Sequence, residues 1–222
     1  MKNTGKIMSV ILAVSMLLGV TSCGREPKIS PDDLMKASKK YDSREYDDLD
    51  DFIEYYREAD DFEKPIIINT KGRKAQKLYE DRVDYGYDVY VDVDTITMYS
   101  YRHDNEDDPD DYGHMNIYSI VCDNNKEAKR LYEALARGIR LKDDPKIVSE
   151  EDDQPFIVVY EPRPEFTDVC YWGVYRYGDT VLSIDGMCSD TDTKIPDMFK
   201  YFCKKLNITN PEEALKQDNK EE

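Results

Sequence analysis

Histidine, basic charge and long apolar runs are what this chain has least of. Only 2 of its 222 residues are His, and 31 Lys and Arg stand against 48 Asp and Glu, a net charge of −17. Such an acidic chain is repelled by phosphate and has few counterions to displace, which argues against nucleic acid as a partner. No uncharged stretch reaches the roughly 20 apolar residues of a membrane-spanning helix, so a polytopic membrane protein is excluded. Nucleophile and phosphate-binding motifs are missing as well: there is no G-x-S-x-G, S-x-x-K, H-E-x-x-H, P-loop or G-x-G-x-x-G. Carboxylates are so numerous that no pair of them singles out a glycosidase. Disorder throughout is excluded in turn, because 18 Tyr, 6 Phe and 1 Trp supply a core.

The N-terminus carries the strongest pattern. Lys2 and Lys6 form a basic region, followed by the uncharged 14-residue run Ile7 to Val20 and then Val20-Thr21-Ser22-Cys23. The run is short for a bilayer span and suits a secretory leader. An A-x-A cleavage site is absent; an aliphatic residue, two small residues and a cysteine stand there instead. This resembles the lipobox of bacterial lipoproteins, with Val20 where Leu is commoner. The resemblance implies that residues 1–22 are a signal peptide and that signal peptidase II cuts between Ser22 and Cys23. It also implies that the Cys23 thiol carries diacylglycerol and that its new amine is open to acylation by a fatty acid such as palmitate. Two acyl chains anchor stably, since each buried CH₂ contributes about 0.8 kcal/mol. The expected place is the extracytoplasmic face of the cell membrane.

Both lysines and no acid fall in residues 1–22, so the chain from Cys23 onward carries −19. Residues 23–30 read as the lipidated cysteine and a tether, whose seven flexible residues Gly24 to Ser30 reach about 15 Å. Summed charge then predicts that repulsion from an anionic leaflet holds the domain upright.

Residues 31–215 read as an α+β ectodomain with a mostly antiparallel sheet, helices packed on one face and a helical N-terminal portion, with 31–85 as a candidate subdomain and 216–222 as a polar tail. Ser30-Pro31-Asp32-Asp33 starts a helix, since Ser caps and acids suit the positive end. Leu49, Phe52, Ile53, Tyr56 and Ala59 mark one face of a second, and Ala75, Leu78, Tyr79 and Val83 a third. Ile66 to Ile68 is a short strand, and Val89, Val91 and Val93 alternate with Asp88, Tyr90, Asp92 and Asp94, an extended segment with one wet face. Strands at 96–103 and 115–122 pair across an acidic loop, and a helix follows at 126–139. Lys142 to Gln154 reads as a charged loop. A strand at 156–160 stops before Pro162 and Pro164. A hairpin at 169–187 turns on Tyr177-Gly178-Asp179, and a helix closes the domain at 195–206.

The run Pro31 to Phe52, the Ala75-Gln76-Lys77-Leu78-Tyr79 helix, Gly173-Val174-Tyr175 and Val181-Leu182-Ser183-Ile184 are similar to a group of small lipoproteins of Gram-positive gut-type bacteria. That group has no established activity, so the resemblance brings no site residues with it.

Four candidate chemistries remain. His103 and His114 flank six acids (Asp104, Glu106, Asp107, Asp108, Asp110 and Asp111), and a closed hairpin would bring them together as zinc-type ligands; otherwise the segment is a solvated acidic turn. This loop, and Asp190 and Asp192, suit calcium in composition but lack EF-hand spacing. Cys122, Cys170, Cys188 and Cys203 allow three pairings, one candidate being Cys188 with Cys203; the other reading is four buried thiols. Tyr171, Trp172, Tyr175 and Tyr177, with Tyr85, Tyr87 and Tyr90, offer aromatic surface to a sugar or peptide, unless core and helices cover both faces. No cofactor is implied. The expected function is a binding or interaction module for a protein or small-molecule ligand, with an extracytoplasmic enzyme or a weak divalent-metal domain as the alternatives.

Overall fold

The computed structural model describes residues 26–83, 89–104, 112–140, 147–151, 156–163, 167–210 and 212. The signal peptide, Cys23, Tyr85, Tyr87, the loop acids from 106 to 111 and the polar tail lie outside the described residues. Among those described, no helix is long and apolar enough to cross a membrane.

Local chemistry sets the helix starts. Ser30 Oγ accepts the Asp33 amide at 3.3 Å and opens α1 (Pro31–Ser38), which tightens into a 3-10 turn over Lys39–Tyr41. Asp48 Oδ1 accepts the amides of Asp50 and Asp51 and opens α2 (Leu49–Glu58). Gly72, at φ +57, turns the chain from strand into α3 (Arg73–Arg82), and Asn124 caps α4 (Asn125–Arg140). Asp192 Oδ1 takes the Lys194 amide at 2.7 Å at the start of α5 (Lys194–Leu206), whose end is closed by Asn207 in the left-handed conformation. These side chains satisfy amides that helix geometry leaves without partners.

Eight strands form one sheet: β1 (Arg44–Tyr46), β2 (Ile66–Lys71), β3 (Val93–Asp104), β4 (Tyr112–Cys122), β5 (Ile147–Glu151), β6 (Phe156–Arg163), β7 (Asp168–Tyr177) and β8 (Thr180–Ser189). Their spatial order is β1-β2-β3-β4-β8-β7-β6-β5, and only β1–β2 is parallel. The α+β class with a mostly antiparallel sheet is therefore the observed architecture. β1 and β2 are hydrogen-bonded into the same sheet as the later strands, so residues 31–83 share its core.

The helices cover both faces rather than one. Register aligns Met98, Tyr118, Ser183 and Val174 on one face, under α2, α3 and α4. It aligns Tyr99, Ile117 and Ile184 on the other, where Phe202 of α5 meets Tyr99 at 4.8 Å and Phe199 meets Tyr171 at 4.9 Å. α1 lies beside α5, and the Tyr201 hydroxyl donates to the Ala37 carbonyl at 3.2 Å. The physical reason is that the central strands carry large apolar side chains on both faces, Met98 and Tyr118 on one and Tyr99 and Ile117 on the other, so each face needs its own cover.

Two segments differ from their sequence reading. The charged loop at 142–154 contains the edge strand β5; an edge strand pairs on one side only and tolerates charge. β6 runs through Pro162, which pairs with Val169 beyond the stretch of β6 that β5 flanks; there β6 is itself an edge, where proline is tolerated.

The supposed tether is docked. Lys28 N–H donates to the Leu206 carbonyl at 2.7 Å, Asn207 Nδ2 donates to the Glu26 carbonyl at 3.2 Å, and Ser119 Oγ donates to the Ile29 carbonyl at 2.6 Å. Ile29 is 2% exposed. An aliphatic residue after Pro27 had a core to enter, so the chain is fixed from Glu26 onward.

Candidate functional site

A cavity of about 270 Å³ opens on the face under α2, α3 and α4. That volume is about nine waters' share of liquid. Its floor is Tyr118 of β4, Ser183 and Asp185 of β8, and Trp172 and Val174 of β7; α4 contributes Leu135 and Ile139, and the end of α3 contributes Arg82 and Val83. Alternation along each strand makes the floor: residues 172 and 174, and 183 and 185, share a face, and Trp172 stands opposite Asp185 in register.

Its charged rim is held from behind. Asn116 Nδ2 donates to Asp185 Oδ2 at 2.9 Å, while Asn116 Oδ1 accepts Ser100 Oγ at 2.7 Å and the Tyr56 hydroxyl at 3.4 Å. Arg102 Nη2 donates to the Tyr56 carbonyl at 2.8 Å. Arg82 stacks its guanidinium 4.1 Å from the centre of the Tyr56 ring and pairs its Nε with Asp81 at 2.8 Å. One carboxylate and one guanidinium thus sit in a hollow of mixed polarity with an indole wall. That suits recognition of a small molecule that carries both polar and apolar groups. A larger hollow of about 520 Å³ along β1 and α2 is a wide-open acidic groove.

His114 lies in the same layer, next to Arg102 in register. Burial lowers its pKa; Asp185 opposes the shift and Arg102 adds to it. The folded protein therefore holds this imidazole neutral more firmly than the unfolded chain does. Stability is fully present above the unfolded value of about 6.5 and falls as pH drops from there toward the folded value. Urea unfolding between pH 8 and 5 should show this slope, and His114→Gln should remove part of it. Equal slopes in the two proteins would refute the assignment.

The histidine pair does not form. His103 pairs with Gly113 and His114 with Arg102, so a one-residue offset sends the two imidazoles to opposite faces of the sheet. His103 instead packs against Tyr101 at 5.7 Å and lies 3.8 Å from Asp192, whose carboxylate is engaged as the α5 cap. Among the described residues no group of three His, Cys, Asp or Glu is placed to hold a metal ion. Asp190 is exposed.

The cysteine bridge does not form either: Cys122, Cys170, Cys188 and Cys203 are buried and none is joined in a disulfide. Cys170 and Cys188 lie on adjacent strands but face opposite ways, Cys122 is at the far end of β4 from Cys188, and Cys203 is on α5. Burial pushes the thiols of Cys122 and Cys188 up to about 12 and raises that of Cys170, so these three are not thiolate nucleophiles near neutral pH. The aromatic run divides by alternation. Tyr171 and Tyr175 are core against α5 and the segment after it, Trp172 lines the cavity, and Tyr177 and Tyr90 are exposed.

Sequence reading singled out Trp172 alone among the cavity residues. Arg82, Asp185 and Asn116 were missed. A signal existed at Asp185, the single charged residue of β8, which is unfavourable unless something meets it.

No protein-family model matches the chain, and no curated protein does. Among solved structures, the extracellular domain of PknH from Mycobacterium tuberculosis is similar at a TM-score of 0.36 and 10% identity, over 65% of this chain and 82% of that one.

Proposed function

We propose that this chain is a lipid-anchored extracytoplasmic lipoprotein, held through Cys23, whose ectodomain binds a small organic ligand in the cavity between α3 and α4. The lipobox-like Val20-Thr21-Ser22-Cys23 supports the anchor. The observation that carries the binding role is the cavity itself, where Arg82 and Asp185 meet the indole of Trp172 and the apolar side chains of Val174, Leu135 and Ile139.

Trp172 is the single tryptophan, so indole emission reports on the cavity alone. Small-molecule extract from the producing cells, fractionated and titrated into the full mature protein, should shift that emission and raise Tm. Arg82→Ala should weaken the response at least about tenfold, the scale of losing a charge-assisted hydrogen bond. An unchanged spectrum and Tm across all fractions would overturn the binding role. Independently, intact mass should show a mature product starting at a diacylglyceryl Cys23; an unprocessed first residue or a bare thiol would overturn the anchor.

A further inference from the structure

We propose that the outer surface of the α1–α5 layer is a docking face for anionic lipid headgroups. The proposal rests on the lipid anchor and adds an orientation to it. If Cys23 carries the lipid, the place where the chain becomes fixed determines which surface meets the membrane. That place is Glu26 and Lys28, hydrogen-bonded to Asn207 and to the last carbonyl of α5. From Cys23 to Glu26 is three residues, a reach of about 11 Å when fully extended. Headgroups occupy roughly 5–7 Å on each side of a bilayer. The end of α5 and the start of α1 therefore stay within about one Debye length, ~8 Å, of the lipid surface.

The charge there is opposite to that of the chain as a whole. Residues 26–41 and 194–208 together contain eight lysines and four acids. The rest of the chain from Cys23 onward carries all of the excess negative charge. Lys28, Lys40, Lys204 and Lys205 are exposed. They form one surface across two helices: Lys40 Nζ lies 4.2 Å from the centre of the Tyr201 ring, Lys205 Nζ lies 5.8 Å from the same ring, and Lys204 and Lys205 share the turn that receives Lys28. A half-buried tyrosine between exposed ammonium groups is an interfacial arrangement, with an apolar ring at headgroup level and charges toward phosphate. The expected upright posture is replaced by attachment through the α1–α5 layer, because charge is segregated in space where the total is not.

The full mature lipoprotein is reconstituted in vesicles of phosphatidylcholine, or of phosphatidylcholine with about 30 mol% phosphatidylglycerol. Lysines are acetylated with a succinimidyl ester, and rates are read by peptide mass spectrometry. On the anionic vesicles Lys28, Lys40, Lys204 and Lys205 should react about fivefold more slowly. The protection should vanish in about 0.5 M salt, while Lys77 on the opposite face reacts equally in both vesicles. The triple variant Lys40→Gln, Lys204→Gln, Lys205→Gln should lose the difference at Lys28. Equal rates on both vesicles, or protection that survives salt and the triple variant, would overturn the docking face. The Cys23 peptide in the same digest tests the anchor separately. If its thiol is bare, the docking face stands or falls on whether the unanchored chain sediments with the anionic vesicles and not with the neutral ones.

Discussion

Phe202→Ala should cost about 3–5 kcal/mol of unfolding free energy, the usual range for a fully buried phenylalanine. Phe202 has no exposed surface and stands where three elements meet: Tyr99 of β3 is 4.8 Å away, Tyr41 of the 3-10 turn 5.9 Å and Tyr201 of α5 5.6 Å, centre to centre. Truncation leaves a cavity walled by rings, which cannot collapse without moving α1 or α5. In a domain with a total stability of about 5–15 kcal/mol this is a large fraction. The midpoint in thermal unfolding should fall by about 10 °C or more. Phe202→Leu should recover most of the loss, since a smaller change in volume is tolerated. Because Lys28 hangs on the last turn of α5, its amide should also exchange faster in Phe202→Ala. A loss below about 1 kcal/mol would mean that the aromatic cluster is not what fastens α1 and α5 to the sheet.

Gly113→Ala should be nearly as harmful for the opposite reason. A methyl group there would meet Ile195 Cγ1 at 2.8 Å, His103 Cε1 at 2.9 Å and Cys188 Cβ at 3.0 Å. Ile195 and Cys188 have no exposed surface, so neither has room to yield. The first turn of α5 would be pushed from the sheet, at about 1–3 kcal/mol. Gly72→Ala is the informative comparison. No atom lies within 4 Å of its added carbon, but its φ of +57 with ψ −130 is a sparsely populated conformation that costs a side chain about 1–3 kcal/mol. The two glycines are alike in sequence; one is required by packing and the other by backbone conformation. Chemical denaturation separates them, because Gly113→Ser should be worse than Gly113→Ala, while Gly72→Ser and Gly72→Ala should cost about the same, the open space around Gly72 making side-chain size irrelevant. Equal tolerance at both positions would contradict the packing around Gly113.

Much of the architecture was legible because it is local. Ser30 was identifiable as a helix start since a cap acts over two or three residues, and the spacing of Leu49, Phe52 and Ile53 needs only the pitch of one helix. The hairpin of β7 and β8 declared itself through Tyr177-Gly178-Asp179. β5 did not, because its pairing is supplied by β6 and not by its own residues. Within the candidate site, Trp172 stood out as the single indole. Arg82 and Asp185 looked like two charges among many until the fold brought the end of α3 and β8 to one cavity.

Composition and periodicity alone determined the acidity, the lipobox-like N-terminus, the α+β class and the positions of the main helices, since each depends on residue identity at short range. Only the tertiary structure decided which groups meet. It placed His103 and His114 on opposite faces, left four cysteines as buried thiols, fixed the segment from Glu26 to Ile29 against the sheet and α5 and gathered lysines from two distant helices onto one surface. The reason is that strand register and the choice of sheet face depend on partners tens of residues away, and a shift of one residue reverses every side chain on the strand.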